Sequence, residues 1–240
     1  AANDGNISVR LSDDEFLVTP TGVSKGFMNK DMIIKVDGVG NVREGNFKPT
    51  SEMKMHLRVY QERPEIQAVV HVHPPYATAF AIAGLPLNRA TMPESVILLG
   101  TIPVARYGTP STEAVPNALN DLIQDHNGVL LENHGALTWG RDLEQAYFFM
   151  ETLEFTAKIN WIAQQMNGDR ELSNRNVEQL LELKKSMGLS GSSPQGISCD
   201  DDFEAKKITP PLERALTQQD LKTIVDNVTA SVLEELKKIL

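Results

Sequence analysis

Three histidines and one glutamate are the residues of this sequence whose types and spacing most directly suggest chemistry. His71 and His73 are two residues apart, and in a β-strand such residues project from the same face. His134 follows a second apolar run, and Glu52 follows the pair Thr50-Ser51. Three imidazoles and one carboxylate form a ligand set that zinc and other borderline divalent cations accept. We therefore consider the three histidines as candidate metal ligands, with Glu52 as the candidate fourth.

A purely structural interpretation of the same residues stays open on spacing alone. His71 and His73 are followed by Pro74-Pro75, and two hydrogen-bonded histidines at a strand end would give the same pattern. Glu52 by itself is typical of a solvated acid near a helix N-terminus, where the helix dipole favours negative charge. His134 shifts the balance toward a metal because it also follows a buried strand, and ligand sites in α/β sheets gather at strand ends.

The elements that must position these residues are strands interleaved with helices, which indicates an α/β protein. Alternating or short apolar runs predict the strands, with a dense β-branched run at 66–72, and helical periodicity predicts the helices. The predicted strands are 7–11, 16–18, 32–36, 66–72 and 128–131, and the predicted helices are 52–62, 76–83, 113–126, 143–166 and 175–187. Both histidine motifs therefore come at the ends of predicted strands, and Glu52 comes at the start of a predicted helix.

Three short polar segments precede or flank Glu52 in the sequence: Gly5-Asn6, Thr19-Pro20-Thr21-Gly22 and Thr50-Ser51. Each segment offers small side chains, hydroxyl groups or free backbone N–H groups. The pair Thr50-Ser51 is predicted at a helix N-terminus, which is a natural site for an anion. Ordinary turns would explain each segment alone, so the interpretation as a phosphate site depends on all three together.

Taken in order, these motifs resemble those of the class II aldolase and adducin head family. The matching segments are Gly5-Asn6-Ile7-Ser8, Thr19-Pro20-Thr21-Gly22, Thr50-Ser51-Glu52, His71-Val72-His73 and Glu132-Asn133-His134-Gly135. The resemblance implies a three-layer α/β/α fold with a central, mainly antiparallel sheet, and a homotetramer with active sites between subunits. It also implies one divalent metal, zinc in the first instance, held by Glu52, His71, His73 and His134. The residues that it implies for substrate phosphate are Gly5, Asn6, Thr21, Gly22, Thr50 and Ser51.

The same resemblance implies cleavage of a 6-deoxyketose 1-phosphate, L-fuculose or L-rhamnulose 1-phosphate, to dihydroxyacetone phosphate and lactaldehyde. Glu52 would be the catalytic acid and base, since the family's aldolases carry Glu at this position and its epimerases typically carry Asp. Two alternatives stay open: a pentulose-phosphate 4-epimerase or sugar-phosphate dehydratase, and an adducin-like interaction module without catalysis. The tyrosine that the resemblance leads us to expect near residues 90–92 is absent, and Tyr107 comes later, which leaves the aldehyde product open.

The composition fits an ordinary globular protein and argues against several other classes. The 240 residues carry a net charge of -9, which disfavours nucleic acid as a partner because phosphate neutralisation needs clustered cations. The single cysteine, Cys199, cannot form an intramolecular disulfide, which favours the cytoplasm. No apolar run reaches the roughly 20 residues of a membrane span. The chain begins without Met and without a signal sequence, so we expect an N-terminal segment to be missing.

Composition divides the chain into three predicted parts: a catalytic domain at 1–187, a flexible linker rich in Gly, Ser and Pro at 188–211, and an amphipathic helix at 212–240. The helix carries a narrow apolar stripe of Leu221, Ile224, Val225, Val228, Val232, Leu236 and Ile239. Such a tethered helix resembles the encapsulation peptides of bacterial microcompartment enzymes, which implies a shell protein as partner and the microcompartment lumen as location. Docking of the helix on its own body or on a sister subunit is the alternative.

Overall fold

The structure, a computed structural model, describes residues 4–166, 168 and 170–189. Within this part of the chain, eight strands form one sheet in the order β4-β3-β2-β1-β5-β8-β7-β6. The strands are β1 (Asn6–Ser12), β2 (Glu15–Val18), β3 (Ile34–Val36), β4 (Val42–Glu44), β5 (Ala68–Val72), β6 (Val104–Ala105), β7 (Gly128–Leu131) and β8 (Gly135–Gly140). Neighbouring strands are antiparallel except β6 and β7, so the sheet is mixed and mainly antiparallel.

Most helices of the described residues pack apolar side chains against the sheet, whereas the last one packs Val177 against Ala90 and Val96. The helices are α1 (Met53–Glu62), α2 (Pro75–Ala83), α3 (Ala114–Ala118), α4 (Leu143–Gln165) and α5 (Asn174–Ser186), with a π-helical turn at Ser95–Leu99. Successive residues of a strand face opposite sides of the sheet. Val69 of β5 therefore joins Met55 of α1 in one apolar cluster. Its neighbour Val70 joins Ala77 of α2 and Leu153 of α4 in another.

Strand pairing at the centre of the sheet brings separate sequence motifs together. β5 lies between β1 and β8, and His71 is opposite Asn6 on one side and Leu137 on the other. The turn between β7 and β8 contains His134 and also Asn133, whose φ is 56°. Asn adopts this left-handed conformation more readily than most residues, so its position suits the tight turn. The register of the sheet thus places all of these residues near the end of β5.

Four elements differ from the sequence-based prediction. Strand β8 is absent from that prediction because all of its residues are buried, so polar and apolar side chains do not alternate along it. The helix predicted over 113–126 is wrong in length, since it ends at Ala118 and the chain continues in turns. Asn120 and Asp121 are weak helix formers, which is consistent with this early end. Strands β4 and β6 have three and two residues, too few to produce a recognisable pattern.

The predicted catalytic domain, 1–187, contains nearly all of the described residues. The predicted linker at 188–211 begins at their end, and the predicted amphipathic helix at 212–240 lies outside them, so both stay predictions. Helix α5 ends at Ser186, close to the predicted start of the linker. In the part of the chain that the structure describes, no helix combines the length and the apolar character that a bilayer crossing requires.

Candidate metal centre

Three regions of the fold supply the four candidate ligands. His71 lies in β5, His73 directly follows that strand, and His134 lies in the turn before β8. Glu52 occupies the N-cap position of α1, with torsion angles outside the helical range and no capping hydrogen bond from its side chain. The helix begins at Met53, one residue after its predicted start. The Glu52 carboxylate therefore faces the histidines instead of capping the helix N–H groups.

The donor atoms of these residues lie at distances that suit one metal ion. Glu52 Oε1 is 3.3 Å from His134 Nε2, and Glu52 Oε2 is 3.4 Å from His71 Nε2. His71 Nε2 is 3.1 Å from His73 Nε2. The ligand atoms of the three histidines all lie within 4.8 Å of one another. In a tetrahedral zinc site with bonds of about 2.0–2.1 Å, neighbouring donors are about 3.3–3.4 Å apart, so the observed spacing fits such a site.

Hydrogen bonding around the cluster also favours a cation. The buried Oε1 of Glu52 accepts no hydrogen bond from the described residues, and a buried carboxylate oxygen without a partner is costly. His71 Nδ1 lies 2.9 Å from the backbone oxygen of Ala136 and donates its proton to that oxygen. The other ring nitrogen, Nε2, consequently carries a lone pair, and it lies 3.1 Å from His73 Nε2 and 3.4 Å from Glu52 Oε2. The residues present therefore fit the divalent cation that the sequence resemblance implies.

Two of the histidines are held in the neutral form that metal binding requires. Burial and, to a smaller extent, the neighbouring His134 and His73 lower the pKa of His71 to about 3. Burial followed by His134 also lowers the pKa of His73. A neutral imidazole keeps a lone pair, so both side chains can bind a cation at neutral pH without first losing a proton.

Two glycines allow backbone segments to approach the ligands closely. A Cβ atom at Gly135 would lie 2.5 Å from His73 Cδ2 and 2.7 Å from the backbone oxygen of Val72. A Cβ atom at Gly5 would lie 2.8 Å from the backbone oxygen of His71, and Gly5 has a φ of +79°. Side chains at these positions would push β1 and β8 away from the end of β5. Glycine is therefore required at both positions for the site to keep its dimensions.

Asn6 links the cluster to His56, whose role the sequence pattern does not reveal. Asn6 Nδ2 donates to Glu52 Oε2 over 2.9 Å, and Asn6 Oδ1 lies 2.6 Å from His56 Nε2. From the sequence alone, His56 is expected to pack or to face solvent, and its side chain is in fact fully buried. The sequence also places His56 one helical turn after Glu52, where it could line the same side, and in the structure it reaches the Glu52 carboxylate through Asn6.

The predicted phosphate residues nearest the ligands are those at the starts of β1 and α1. Gly5 and Asn6 are buried beside β5, and Asn6 contacts the Glu52 carboxylate directly. Thr50 is also buried, and its Oγ1 accepts a hydrogen bond of 3.3 Å from the backbone N–H of Glu52. Ser51 is exposed. Asn6, Thr50 and Ser51 therefore border Glu52 in space or in sequence, and Gly5 lies against the backbone of His71.

The remaining predicted phosphate residues, Thr21 and Gly22, lie in an exposed loop after β2. The backbone N–H of Thr21 donates to the backbone oxygen of Lys48, which joins this loop to the segment that leads into α1. Lys25 directs its Nζ to the backbone oxygens of Pro20 and Val23, and burial lowers its pKa. The loop is therefore fastened beside the segment that leads to Glu52, and its residues remain accessible to a ligand.

Tyr107 lies in the chain after β6, next to the turn that carries His134. Its backbone N–H donates to Glu132 Oε2 over 2.7 Å, and its side chain is exposed. Glu132 thus connects two segments that are distant in sequence, which the sequence alone does not indicate. Thr91, in the stretch where the resemblance leads us to expect a tyrosine, donates instead from its hydroxyl to Asn160 Oδ1 over 2.8 Å.

The sequence of this chain is similar to one protein family and to several proteins of known name. Residues 1–161 match the family described as Class II Aldolase and Adducin N-terminal domain. An L-fuculose phosphate aldolase of Methanococcus maripaludis is 38% identical over 158 residues, which are 66% of this chain and 84% of that protein. A 3-oxo-tetronate 4-phosphate decarboxylase of Escherichia coli is 34% identical over 184 residues, which are 75% of this chain and 84% of that protein.

Similarity in three dimensions agrees with similarity in sequence. A solved structure of an L-fuculose 1-phosphate aldolase has a TM-score of 0.70 and 31% sequence identity, and the match covers 77% of this chain and 87% of that one. The names of both sequence relatives describe lyases that break carbon–carbon bonds, and a lyase activity is consistent with the site. The family match includes Glu52 and the three histidines. The chain therefore belongs to the class II aldolase and adducin N-terminal domain family.

Proposed function

We propose that this protein is a zinc-dependent lyase that cleaves L-fuculose 1-phosphate or L-rhamnulose 1-phosphate to dihydroxyacetone phosphate and lactaldehyde. The proposal is carried by the cluster of Glu52, His71, His73 and His134, whose donor spacing fits one tetrahedral metal site. The 38% identity to an L-fuculose phosphate aldolase supports the choice of substrate. A complete set of ligands argues against an adducin-like module without catalysis.

The chemistry requires a group that stabilises negative charge and a group that moves protons. A divalent cation bound by the four ligands would supply Lewis-acid stabilisation of the charge that develops as the C3–C4 bond of the sugar breaks. In that step a base other than Glu52 takes the proton of the C4 hydroxyl, the C3–C4 bond breaks and lactaldehyde leaves. The enediolate of dihydroxyacetone phosphate then takes up a proton at C3. We assign delivery of the C3 proton to Glu52, because its Oε1 accepts no hydrogen bond from the described residues.

Substrate phosphate would be held on the side of Glu52 where small residues and hydroxyl groups gather. We assign this role to Gly5, Asn6, Thr21, Gly22, Thr50 and Ser51. The support is local: Thr50 and Asn6 both contact Glu52, and the Thr21 loop is joined to the segment that precedes Thr50. Backbone N–H groups at the start of α1 add the positive end of a helix dipole.

A second candidate reaction is decarboxylation of a 3-oxo acid phosphate. The decarboxylase relative aligns with 75% of this chain, against 66% for the aldolase relative. The two reactions share an intermediate, because loss of CO2 from 3-oxo-tetronate 4-phosphate leaves the same enediolate of dihydroxyacetone phosphate. One site with one charge-stabilising group and one proton donor can therefore serve either reaction. The difference lies in the fragment that leaves, an aldehyde or CO2.

The test is a coupled assay for dihydroxyacetone phosphate on the purified, zinc-loaded chain, with and without EDTA. L-fuculose 1-phosphate, L-rhamnulose 1-phosphate and 3-oxo-tetronate 4-phosphate are offered separately, and lactaldehyde and CO2 are measured as co-products. Chelator-sensitive product with lactaldehyde supports the aldolase, and product with CO2 supports the decarboxylase. Absence of product from all three substrates despite bound zinc would contradict both, and would favour the epimerase or dehydratase. Failure to bind metal would favour the adducin-like module.

Assembly and location complete the proposal. We expect a homotetramer with active sites between subunits, in the cytoplasm or in the lumen of a microcompartment. The apolar stripe within residues 212–240 supports binding to a shell protein, since an amphipathic helix can lay such a face in an apolar groove.

Deletion of 212–240 should leave kcat unchanged and abolish co-purification with the shell protein. A large loss of thermal stability on deletion would instead indicate that the segment docks on its own protein.

A further inference from the structure

Behind Glu52, a continuous row of buried hydrogen bonds extends from Asn6 to Tyr60. Asn6 Oδ1 lies 2.6 Å from His56 Nε2, and His56 Nδ1 lies 2.7 Å from Ser8 Oγ. Ser8 Oγ in turn lies 2.8 Å from the hydroxyl of Tyr60. All four side chains are buried, and His56 is completely so. The proposed proton transfer and phosphate site use none of the last three residues, so their polar row needs another explanation.

The row is a seam between strand β1 and helix α1. Asn6 and Ser8 are two residues apart on the strand and therefore share a face. His56 and Tyr60 are four residues apart on the helix and also share a face. Glu52 stands one further turn toward the helix N-terminus. Residues of the strand and residues of the helix therefore alternate along one row, in the order Asn6, His56, Ser8 and Tyr60. The row ends at the carboxylate of Glu52.

The Glu52 carboxylate fixes which atoms of the row carry protons, because it can only accept a hydrogen bond from Asn6. Asn6 Nδ2 donates to Glu52 Oε2 over 2.9 Å, so Asn6 presents its oxygen to His56. An amide oxygen can only accept, so the proton of His56 must be on Nε2. Burial, with His71 as the second cause, lowers the pKa of His56 to about 3. The ring is thus neutral at physiological pH, and its Nδ1 is an acceptor.

Ser8 and Tyr60, at the end of the row away from Glu52, donate their hydrogen bonds in the same direction. His56 Nδ1 accepts the single proton of Ser8 Oγ, so the Tyr60 hydroxyl must donate to Ser8. The Tyr60 oxygen in turn interacts with the backbone N–H of Val69 in β5. Each donor in the row therefore has one acceptor, and every proton points toward Glu52.

We infer that His56 is a positioning residue for the metal centre: its Nε2–H locks the Asn6 amide with the N–H group toward Glu52 and so holds the carboxylate against the histidines. An Asn6 amide rotated by 180° would turn its oxygen to the carboxylate, and the two oxygens would repel each other. The other carboxylate oxygen accepts no hydrogen bond from the described residues, so Asn6 is the contact that orients Glu52. The inference rests on the proposed function, because it concerns the same metal site.

The first experiment compares the zinc affinity of four proteins by competition with a chromophoric chelator: the unaltered chain, His56→Leu, His56→Gln and His126→Leu. Leu removes the donor and keeps the side chain apolar, whereas the amide of Gln can donate from the position of Nε2. His126 is the matched control, since it is also buried but bonds from Nδ1 to the backbone oxygen of Leu122. We expect His56→Leu to weaken zinc binding by about 10–100-fold. His56→Gln should recover most of this loss, and His126→Leu should show none.

Steady-state kinetics give a second readout at saturating zinc. A misoriented Glu52 should lower kcat of His56→Leu more than it raises KM, because the substitution releases Asn6 and leaves Thr21, Gly22 and Ser51 of the assigned phosphate site in place. Recovery of kcat by His56→Gln separates loss of a hydrogen bond from loss of packing. Equal losses in the Leu and Gln variants, or unchanged zinc affinity and kcat in His56→Leu, would overturn the inference.

The third measurement needs neither metal nor turnover. Long-range 1H–15N spectra of the metal-free protein labelled at histidine should give a neutral Nε2–H tautomer for His56, and an Nδ1–H tautomer would overturn the inference. This spectrum decides the matter if His56→Leu fails to fold. If the unaltered chain binds no zinc, the proposed function fails, and the tautomer still reports whether the hydrogen-bonded row exists.

Discussion

The Glu52 carboxylate is largely buried and contacts three other residues of the candidate metal centre. Its two carboxylate oxygens face His134 and His71 at 3.3 and 3.4 Å, and one of them also accepts from Asn6. Its side chain is only 13% exposed, so its charge needs nearby compensation. In the proposed function, metal binding and proton transfer would therefore compete for the same two oxygen atoms. A substitution that keeps the shape of this side chain and removes its charge should affect both.

Glu52→Gln should reduce kcat by at least about 100-fold, since general acid–base catalysis contributes at least that much. The amide is nearly isosteric, so the far-ultraviolet circular dichroism should not change. Glu62→Gln, at the other end of α1, is the control and should keep normal turnover. Normal turnover in Glu52→Gln at saturating zinc would mean that Glu52 is not the acid or the base.

The buried His56 leads to a prediction about acid stability of the metal-free protein. Its pKa is about 3 in the folded chain and about 6.5 when unfolded, so unfolding takes up a proton between these values. The stabilisation is complete above about pH 6.5 and is lost as the pH falls toward 3. His56→Gln should therefore reduce the slope of the unfolding free energy by about 1.4 kcal/mol per pH unit between about pH 6 and pH 4. Urea denaturation in EDTA measures the slopes, and equal slopes would contradict this account.

At the scale of elements, the site depends on how closely three strands approach one another. The start of β1, the end of β5 and the start of β8 carry or border three of the four ligands. Gly5 and Gly135 remove the side chains that would separate these strands. The helix α1 then adds the fourth ligand from its N-cap position, where the backbone is not yet helical. Substitutions that widen the strand contacts should act on the metal site without altering any ligand.

Gly5→Ala tests this dependence, with Gly84→Ala as its control. Both glycines have positive φ, +79° and +66°, so alanine should cost each about 1 kcal/mol of backbone strain. A Cβ at Gly84 meets nothing within 4 Å, whereas at Gly5 it meets the backbone of His71. Gly5→Ala should therefore lose more thermal stability and also weaken zinc binding, whereas Gly84→Ala should keep its zinc affinity. Similar zinc affinities in both variants would show that the close approach of β1 is unimportant.

At the scale of the whole molecule, one ion would connect segments that are remote in sequence. Glu52 and His134 are far apart along the sequence, and His71 and His73 come between them. A ligand that binds only the folded state stabilises it by mass action. Metal binding should therefore influence global stability as well as the reaction.

Calorimetry of the metal-free chain should give a lower Tm than that of the zinc-loaded chain. At free zinc of about 100 times Kd, the expected gain in the free energy of unfolding is about 2.7 kcal/mol. His134→Ala removes one ligand and should abolish most of this gain without removing any part of the hydrophobic core. Identical melting curves with and without zinc in the unaltered chain would contradict a single structural and catalytic metal site.

The sequence by itself determined the features that depend on near neighbours. The spacing of His71 and His73 predicted two imidazoles on one side of a strand end, and short apolar runs predicted β5 and β7. In the structure His71 lies in β5 and His73 directly follows it. The order of the motifs pointed to the family, which the comparisons confirmed. These predictions succeed because side-chain periodicity and turn chemistry act over a few residues. The predicted segments after 189 lie outside the described residues and stay predictions.

Only the tertiary structure decided the features that depend on strand pairing and burial. Strand β8 is buried on both faces and has no alternating pattern, so its place beside β5 emerges only from the assembled sheet. The distance from Glu52 to His134, and the contact from Glu52 to Asn6, join residues that are far apart along the chain. His56 has the inferred role because its ring is buried where α1 packs against β1, donates from Nε2 to Asn6 and accepts at Nδ1 from Ser8. Such constraints come from packing elements together, and no local pattern in the sequence contains them.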